Sequence, residues 1–379
     1  MRRTSGHVMC HNGCEKVRIE SVNCTYTKIP MDTGIKTATA DMSNASCLFV
    51  KVASDDGTIG YGCGYPTSLT GESKNSAMAL IDELRPLLVG KDPVLIHDIY
   101  RTLAPYVSAN PCVSSAISTA CEDLFGKYFD QPLYRLWGQD KECIMTSITL
   151  GIADEDRLAA DVGYWMDRGA RCFKIKLGSD PEKNLCAVAA VREACGRDVF
   201  LRCDANGAMD VSGAARFMSE AERFGIDFLE QPVSSQKDLG KLVQTAPLRI
   251  GADETIGSHS SFPSLLNSDL FHVAVLKLNK VGGPRYLRDM ATIATPYGVT
   301  CMAGCMSENA LSIAASLHVA LSHPNISYAD LDTFMFLQYQ PAKGLRFDEG
   351  MLYPSDKPGL GISVDKRVFK KRKERRKGR

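Results

Sequence analysis

Five runs decide the architecture: Cys172–Gly178 (CFKIKLG), Val199–Asn206 (VFLRCDAN), Ile226–Pro232 (IDFLEQP), Leu248–Glu254 (LRIGADE) and His272–Asn279 (HVAVLKLN). Each is short and β-rich. Between them lie stretches such as Asn184–Gly196 (NLCAVAAVREACG) and Val211–Gly225 (VSGAARFMSEAERFG), whose apolar residues recur three and four apart as in a helix. Thr146–Gly151 (TSITLG) precedes the five runs, and Val299–Cys305 (VTCMAGC) and Ile326–Asp332 (ISYADLD) follow, making eight strand candidates. Alternating strand and helix demands a parallel sheet. Eight such strands with no reversal point to a closed barrel, with its reactive rim where the strands end; an open doubly wound sheet is the alternative.

Upstream, Lys16–Pro30, Ser46–Gly64 and a helical run from Ser76 to Phe129 predict an α+β domain that opens on an antiparallel sheet. The expected boundaries are a leader at 1–16, the α+β domain at 17–140, the barrel at 141–344 and a segment at 345–365 that packs back on the first domain. A basic tail at 366–379 completes the chain. That tail holds ten Lys or Arg and one acid, so a chain of net charge +1 is close to −8 without it. Such a run reads as solvated, and nucleic-acid binding is not expected of the protein as a whole. His7, Cys10, His11 and Cys14 have metal-like spacing but sit in the leader, where such spacing usually means nothing.

The 44% hydrophobic and 23% charged fractions suit a globular enzyme, and no apolar run is long enough to span a bilayer. The first residues lack the apolar stretch of a secretory signal. Fourteen cysteines scattered through apolar segments read as reduced thiols, so a cytoplasmic enzyme is expected, as a homo-oligomer.

Charges at the exits of apolar strands carry the chemistry, because a core strand has no packing use for them. Asp204, Glu230 and Asp253 end the third, fourth and fifth strands at spacings of one barrel unit. Any one alone would serve as a helix cap. Three in register repel one another and call for a divalent cation, and hard oxygen donors favour Mg²⁺. Lys174 and Lys176 are two apart and share a face of the second strand, the barrel interior. Lys277 ends the sixth strand, diametrically opposite. Lysines on both sides of a cation-bound carboxylate suit removal of an α-proton from one face and its return to the other, with burial among like charges expected to lower the lysine pKa toward neutrality.

The set KIK, DANG, EQP, GADE and LKLNKVGG, with GYGCGYPTSLTGES and DLFGKYFDQPLYRLWG upstream, resembles the muconate-lactonising branch of the enolase superfamily over nearly the whole chain. The resemblance implies an α/β fold, a modified TIM barrel (β/α)7β with an N-terminal α+β capping domain. It implies Asp204, Glu230 and Asp253 as ligands of one Mg²⁺, Lys176 and Lys277 as the acid/base pair, and Lys174 as an assisting residue. Asp330 and Asp332 (ADLD) resemble the pair with which dipeptide epimerases hold a substrate amino terminus. Thr149, Cys305 and Met306 are implied as further substrate contacts. Members acting on dipeptides that end in glutamate carry an arginine where ungapped matching places Ala40, so an acidic side chain is not implied. Lys36 and Asp41 are the candidate specificity residues of that loop. Cycloisomerase, o-succinylbenzoate synthase and N-acylamino acid racemase chemistry are the alternatives within the branch.

Overall fold

The structure, a computed structural model, describes residues 17–370; the leader quartet lies outside them. The chain opens with an antiparallel sheet of β1 (Ile19–Lys36), β2 (Asp41–Ser54) and β3 (Ile59–Gly64), covered by α1 (Lys74–Leu88), α2 (Ile96–Val107), α3 (Pro111–Tyr128) and the single turn α4 (Leu133–Leu136). The alternation IGYGCG explains how α3 lies on β3. A Cβ at Gly60 or Gly62 would stand 2.0 Å from the Ala120 or Ala116 carbonyl oxygen. Two strand residues advance about 6.6 Å and four helical residues about 6 Å, so every second glycine meets the next turn of the helix.

After β4 (Ile144–Met145) the alternation runs as read: β5 (Ile148–Leu150), α5 (Glu155–Met166), β6 (Cys172–Lys176), α6 (Pro181–Cys195), β7 (Phe200–Asp204), α7 (Val211–Ala221) and β8 (Ile226–Glu230). It continues through α8 (Gln236–Val243), β9 (Ile250–Ala252), α9 (Phe262–Leu266), β10 (Val273–Lys277), α10 (Leu278–Val281) with α11 (Pro284–Ala294), β11 (Thr300–Gly304), α12 (Ala310–Ser322) and β12 (Ile326–Ala329). All eight strands pair in parallel with their neighbours in chain order. The sheet closes where Thr146 bridges Ala329 and the Ser147 N–H donates to the Ala329 carbonyl at 3.1 Å. A 3₁₀ turn, Thr333–Phe336, stands where an eighth helix would follow β12, which makes the barrel (β/α)7β. Acids at the helix starts are spent on caps: Asp154, Asp180 and Asp210 each accept from the first-turn N–H groups of α5, α6 and α7.

The remaining strands are β13 (Ala342–Lys343), β14 (Arg346–Asp348), β15 (Met351–Tyr353) and β16 (Ser363–Val364). β14 and β15 join β4 in a sheet at the N-terminal end of the barrel, where the Gly350 carbonyl accepts from the Thr146 N–H. Only farther on does this segment meet the cap: the Gly359 carbonyl accepts from Leu133 N–H, and Leu360 N–H donates to Asp123 at 2.8 Å. The basic run does not begin as a solvated tail at 366. Lys366–Phe369 forms a 3₁₀ turn, and Phe369 packs against Phe49 and Tyr61 of the capping sheet, because Val368 and Phe369 are apolar and find an apolar face.

Candidate active site

Strand register assembles the rim. Lys176 pairs with Asp204, Asp204 with Glu230, and Glu230 with Gly251, so three ionisable groups stand side by side and Asp253 follows two residues beyond. All are buried, with Lys174, Lys176 and Lys277 beside them. Lys174 Nζ reaches across the barrel and donates to Glu230 at 3.0 Å and to Asp330 at 2.8 Å, with Asp204 at 3.1 Å. Lys176 Nζ lies 2.5 Å from Asp204, and Lys277 Nζ lies 2.6 Å from Asp253 on the other side. The inward alternation read from KIK holds, and the two lysine-bearing strands face each other.

Lysine electrostatics differ from the sequence expectation. Burial pushes Lys277 down, but Asp253, Glu230 and Glu254 outweigh it and hold the ammonium above its ordinary range. Burial acts on Lys174 too and is overcome by Asp330, Glu230 and Asp204. Like-charge repulsion loses because each lysine touches carboxylates and not another lysine. Asp204 and Asp253 are buried yet held low by Lys176 with Lys174, and by Lys277 with Lys280. Glu230 goes the other way: burial and the neighbouring Asp204 push it up to about 8.

On the far side, Asp330 accepts from Ser147 Oγ at 2.9 Å and from Lys174, which keeps its carboxyl low despite burial. Asp332 Oδ2 accepts from the Thr149 N–H at 2.6 Å, while Oδ1 is buried with no hydrogen-bond partner. Burial and Asp330 push Asp332 up to about 7. Cys305 Sγ contacts Thr333 Oγ1 at 3.3 Å, and Thr333 donates to the Met306 carbonyl at 2.8 Å, which ties the end of β11 to the turn after the acid pair. Thr149 therefore touches both acids, Asp332 through its N–H and Asp330 through its hydroxyl at 3.5 Å, while Cys305 and Met306 are joined to the turn that follows them through Thr333.

The capping hairpin arrives over this rim. Lys36 and Asp41 are register partners at its tip, both exposed; the Lys36 carbonyl accepts from Ile152 N–H at 2.8 Å, and Lys36 lines a cavity together with Thr149. Ala40 is fixed in the turn by its N–H to Thr37 Oγ1 at 3.0 Å. Four participants escaped the sequence reading. Lys280 holds Asp253 Oδ1 at 2.7 Å, Asn206 Nδ2 bridges to Glu254 at 3.0 Å, and buried Glu308 accepts from Met306 N–H at 3.0 Å. Lys280 lies one helical turn beyond Lys277 in LKLNK, and Glu254 follows Asp253 directly, so adjacency to the first set was the available signal.

The donor set fits a divalent cation by charge. Lys174, Lys176, Lys277 and Lys280 are four ammoniums against six carboxyls, Asp204, Glu230, Asp253, Glu254, Asp330 and Asp332. The surplus of negative charge shows in Glu230, forced toward protonation although ringed by lysines. As they stand, Asp204, Glu230 and Asp253 are each drawn onto a lysine, and among the described residues no three acidic, His or Cys side chains are gathered as a ready cage.

Residues 157–368 match the enolase C-terminal domain-like family, and residues 19–138 match the N-terminal domain of mandelate racemase and muconate lactonizing enzymes. The chain belongs to the enolase superfamily. Within the superfamily it is 30% identical over 353 residues to a hydrophobic dipeptide epimerase of Enterococcus faecalis, covering 92% of this chain and 100% of the relative. The solved dipeptide epimerase from Enterococcus faecalis, complexed with Mg and L-Leu-L-Tyr, superposes with a TM-score of 0.88 at 30% identity over 91% of this chain and 99% of that one. The N-succinyl Arg/Lys racemase from Bacillus cereus also gives 0.88, at 26% identity over 93% and 97% of the two chains.

Proposed function

We propose that this superfamily member is a Mg²⁺-dependent dipeptide epimerase that inverts the α-carbon of the C-terminal residue. Asp332 Oδ1 carries the reading: a buried carboxylate oxygen with no partner, beside Asp330 and across the pocket from the three strand-end acids, suits a substrate ammonium. Muconate has no ammonium to offer it, and an N-acylamino acid has none at its α-nitrogen. The similarity to dipeptide epimerases over nearly the full length of both chains supports the same reading.

Asp204, Glu230 and Asp253 would hold the cation. Bound there, Mg²⁺ supplies positive charge that stabilises the negative charge gathering on the substrate carboxylate as the α-proton leaves. Lys176 and Lys277 do the proton work from opposite walls: one, as the free amine, takes the α-proton, and the other, as the ammonium, gives a proton to the opposite face. The lysines end with their protonation states exchanged. Lys174, locked between Glu230 and Asp330, adds a fixed positive charge beside the carboxylate. Asp330 and Asp332 set the distance from ammonium to reacting carbon.

All twelve cysteines among the described residues are free, which suits the reducing cytoplasm. The test is isotopic. Incubation of L,L-dipeptides with Mg²⁺ in D₂O should place deuterium on the C-terminal α-carbon and generate the L,D epimer by NMR. A library spanning acidic, basic and apolar residues that shows no exchange would sink the proposal.

A further inference from the structure

β1 carries a wide bulge. Its register with β2 jumps between Pro30–Asn44 and Ile35–Met42, so residues 31–34 leave the hairpin. They cross instead to the barrel. Met31 bridges Leu337, and at the other end the Lys36 carbonyl takes the Ile152 N–H. The bulge thus forms a lintel over the seam between β12 and β5, at the position where no eighth helix covers the barrel. Beneath it lies a cavity of about 580 Å³, within the range of small-ligand sites. Its inner end is Thr149, whose N–H holds Asp332; its outer wall is the 157–165 face of α5.

We infer that this slot receives the side chain of the substrate's N-terminal residue and that it selects large apolar or aromatic ones; the inference rests on the dipeptide reading. An ammonium held by Asp330 and Asp332 sits at the mouth of the slot, so the side chain on the same carbon has the slot as its exit. The lining chemistry sets the class. Ile35, Ile152, Trp165 and Phe336 are apolar, with the Trp165 and Phe336 rings edge-on at 5.3 Å. The charged residues of the lining balance in number: Arg157 pairs with Asp161 at 2.9 Å, and Asp32 and Lys36 add one charge of each sign. No surplus charge asks for a charged guest. Gly151 lets the lintel close on the barrel, because a Cβ there would stand 2.9 Å from the Lys36 backbone nitrogen.

The experiment measures α-deuteration of the C-terminal alanine in an L-Xaa-L-Ala series with the full Mg²⁺-loaded enzyme. Phe or Leu as Xaa should give kcat/KM at least about tenfold above Ala, the span that a filled apolar pocket yields. Ala153→Trp, which fills the slot from an exposed loop position, should bring the Phe-to-Ala ratio close to one. Exchange that proceeds equally across the series, or a ratio unchanged in the A153W variant, overturns the slot while leaving the epimerase reading intact. If no member of the series exchanges, the dipeptide reading falls and the slot assignment with it.

Discussion

His318, on α12, gives the most exacting test of how the cap is joined to the barrel. Its Nδ1 accepts from the Tyr134 N–H of α4 at 3.0 Å, and its Nε2 faces the Leu360 carbonyl at 3.2 Å. One imidazole therefore ties three segments together. An Nδ1 that accepts must be unprotonated, so Nε2 carries the hydrogen and the ring is neutral. Burial depresses its pKa from 6.5 to about 4. The sign follows: the unfolded chain binds a proton below pH 6.5 that the folded chain refuses until about pH 4, so this residue's contribution is complete above pH 6.5 and is lost as pH falls. Integration gives a loss of about 2 kcal/mol between pH 7 and 5, and about 3 kcal/mol by pH 4. The measurement is urea unfolding of wild type and His318→Asn at pH 7, 6 and 5. The variant should be less stable at pH 7, and the gap should shrink by about 2 kcal/mol by pH 5. A gap that stays constant across this range would refute a neutral, doubly bonded His318.

Replacing Lys277 with Met should lower epimerisation by at least about 10²–10⁴-fold, whereas Lys241→Met, an exposed change on α8, should leave the rate unaltered in the same assay. Asp332→Asn removes the charge opposite the ammonium with little change of shape. For dipeptides KM should rise about ten- to a hundredfold, as loss of a charged hydrogen bond implies, and steady-state kinetics reporting an unchanged KM would contradict the role. Gly62→Val drives a side chain into the Ala116 carbonyl, already 2.0 Å from a Cβ at that position. Overpacking of this kind should cost about 1–3 kcal/mol or more, read as a lowered Tm in calorimetry.

Barrel strands, the inward-facing pair Lys174 and Lys176 and the acid row Asp204, Glu230 and Asp253 were legible in the chain itself. They depend on local periodicity: alternation within a strand decides which side chains face inward, and a repeat of one strand plus one helix decides which strand ends are neighbours. The same logic marked Asp330 and Asp332 as sharing a face. What periodicity could not carry was charge balance. Lys280 and Glu254 join the site through contacts with Asp253 and Asn206, and carboxylates brought in from separate strands, Asp330, Glu230 and Asp204 around Lys174 and Asp253 with Glu230 around Lys277, turn a predicted fall in lysine pKa into a rise. Nor could it show the lintel of β1, the 3₁₀ turn that brings Phe369 onto Phe49, or the strut at His318. Each of these joins residues far apart in the sequence, Met31 with Leu337, Phe369 with Phe49 or His318 with Tyr134, and no local periodicity marks such a pair. Residue identity therefore determined the barrel and the chemistry at its rim, while the packing of distant segments decided the charge state of that rim and the shape of the space beside it.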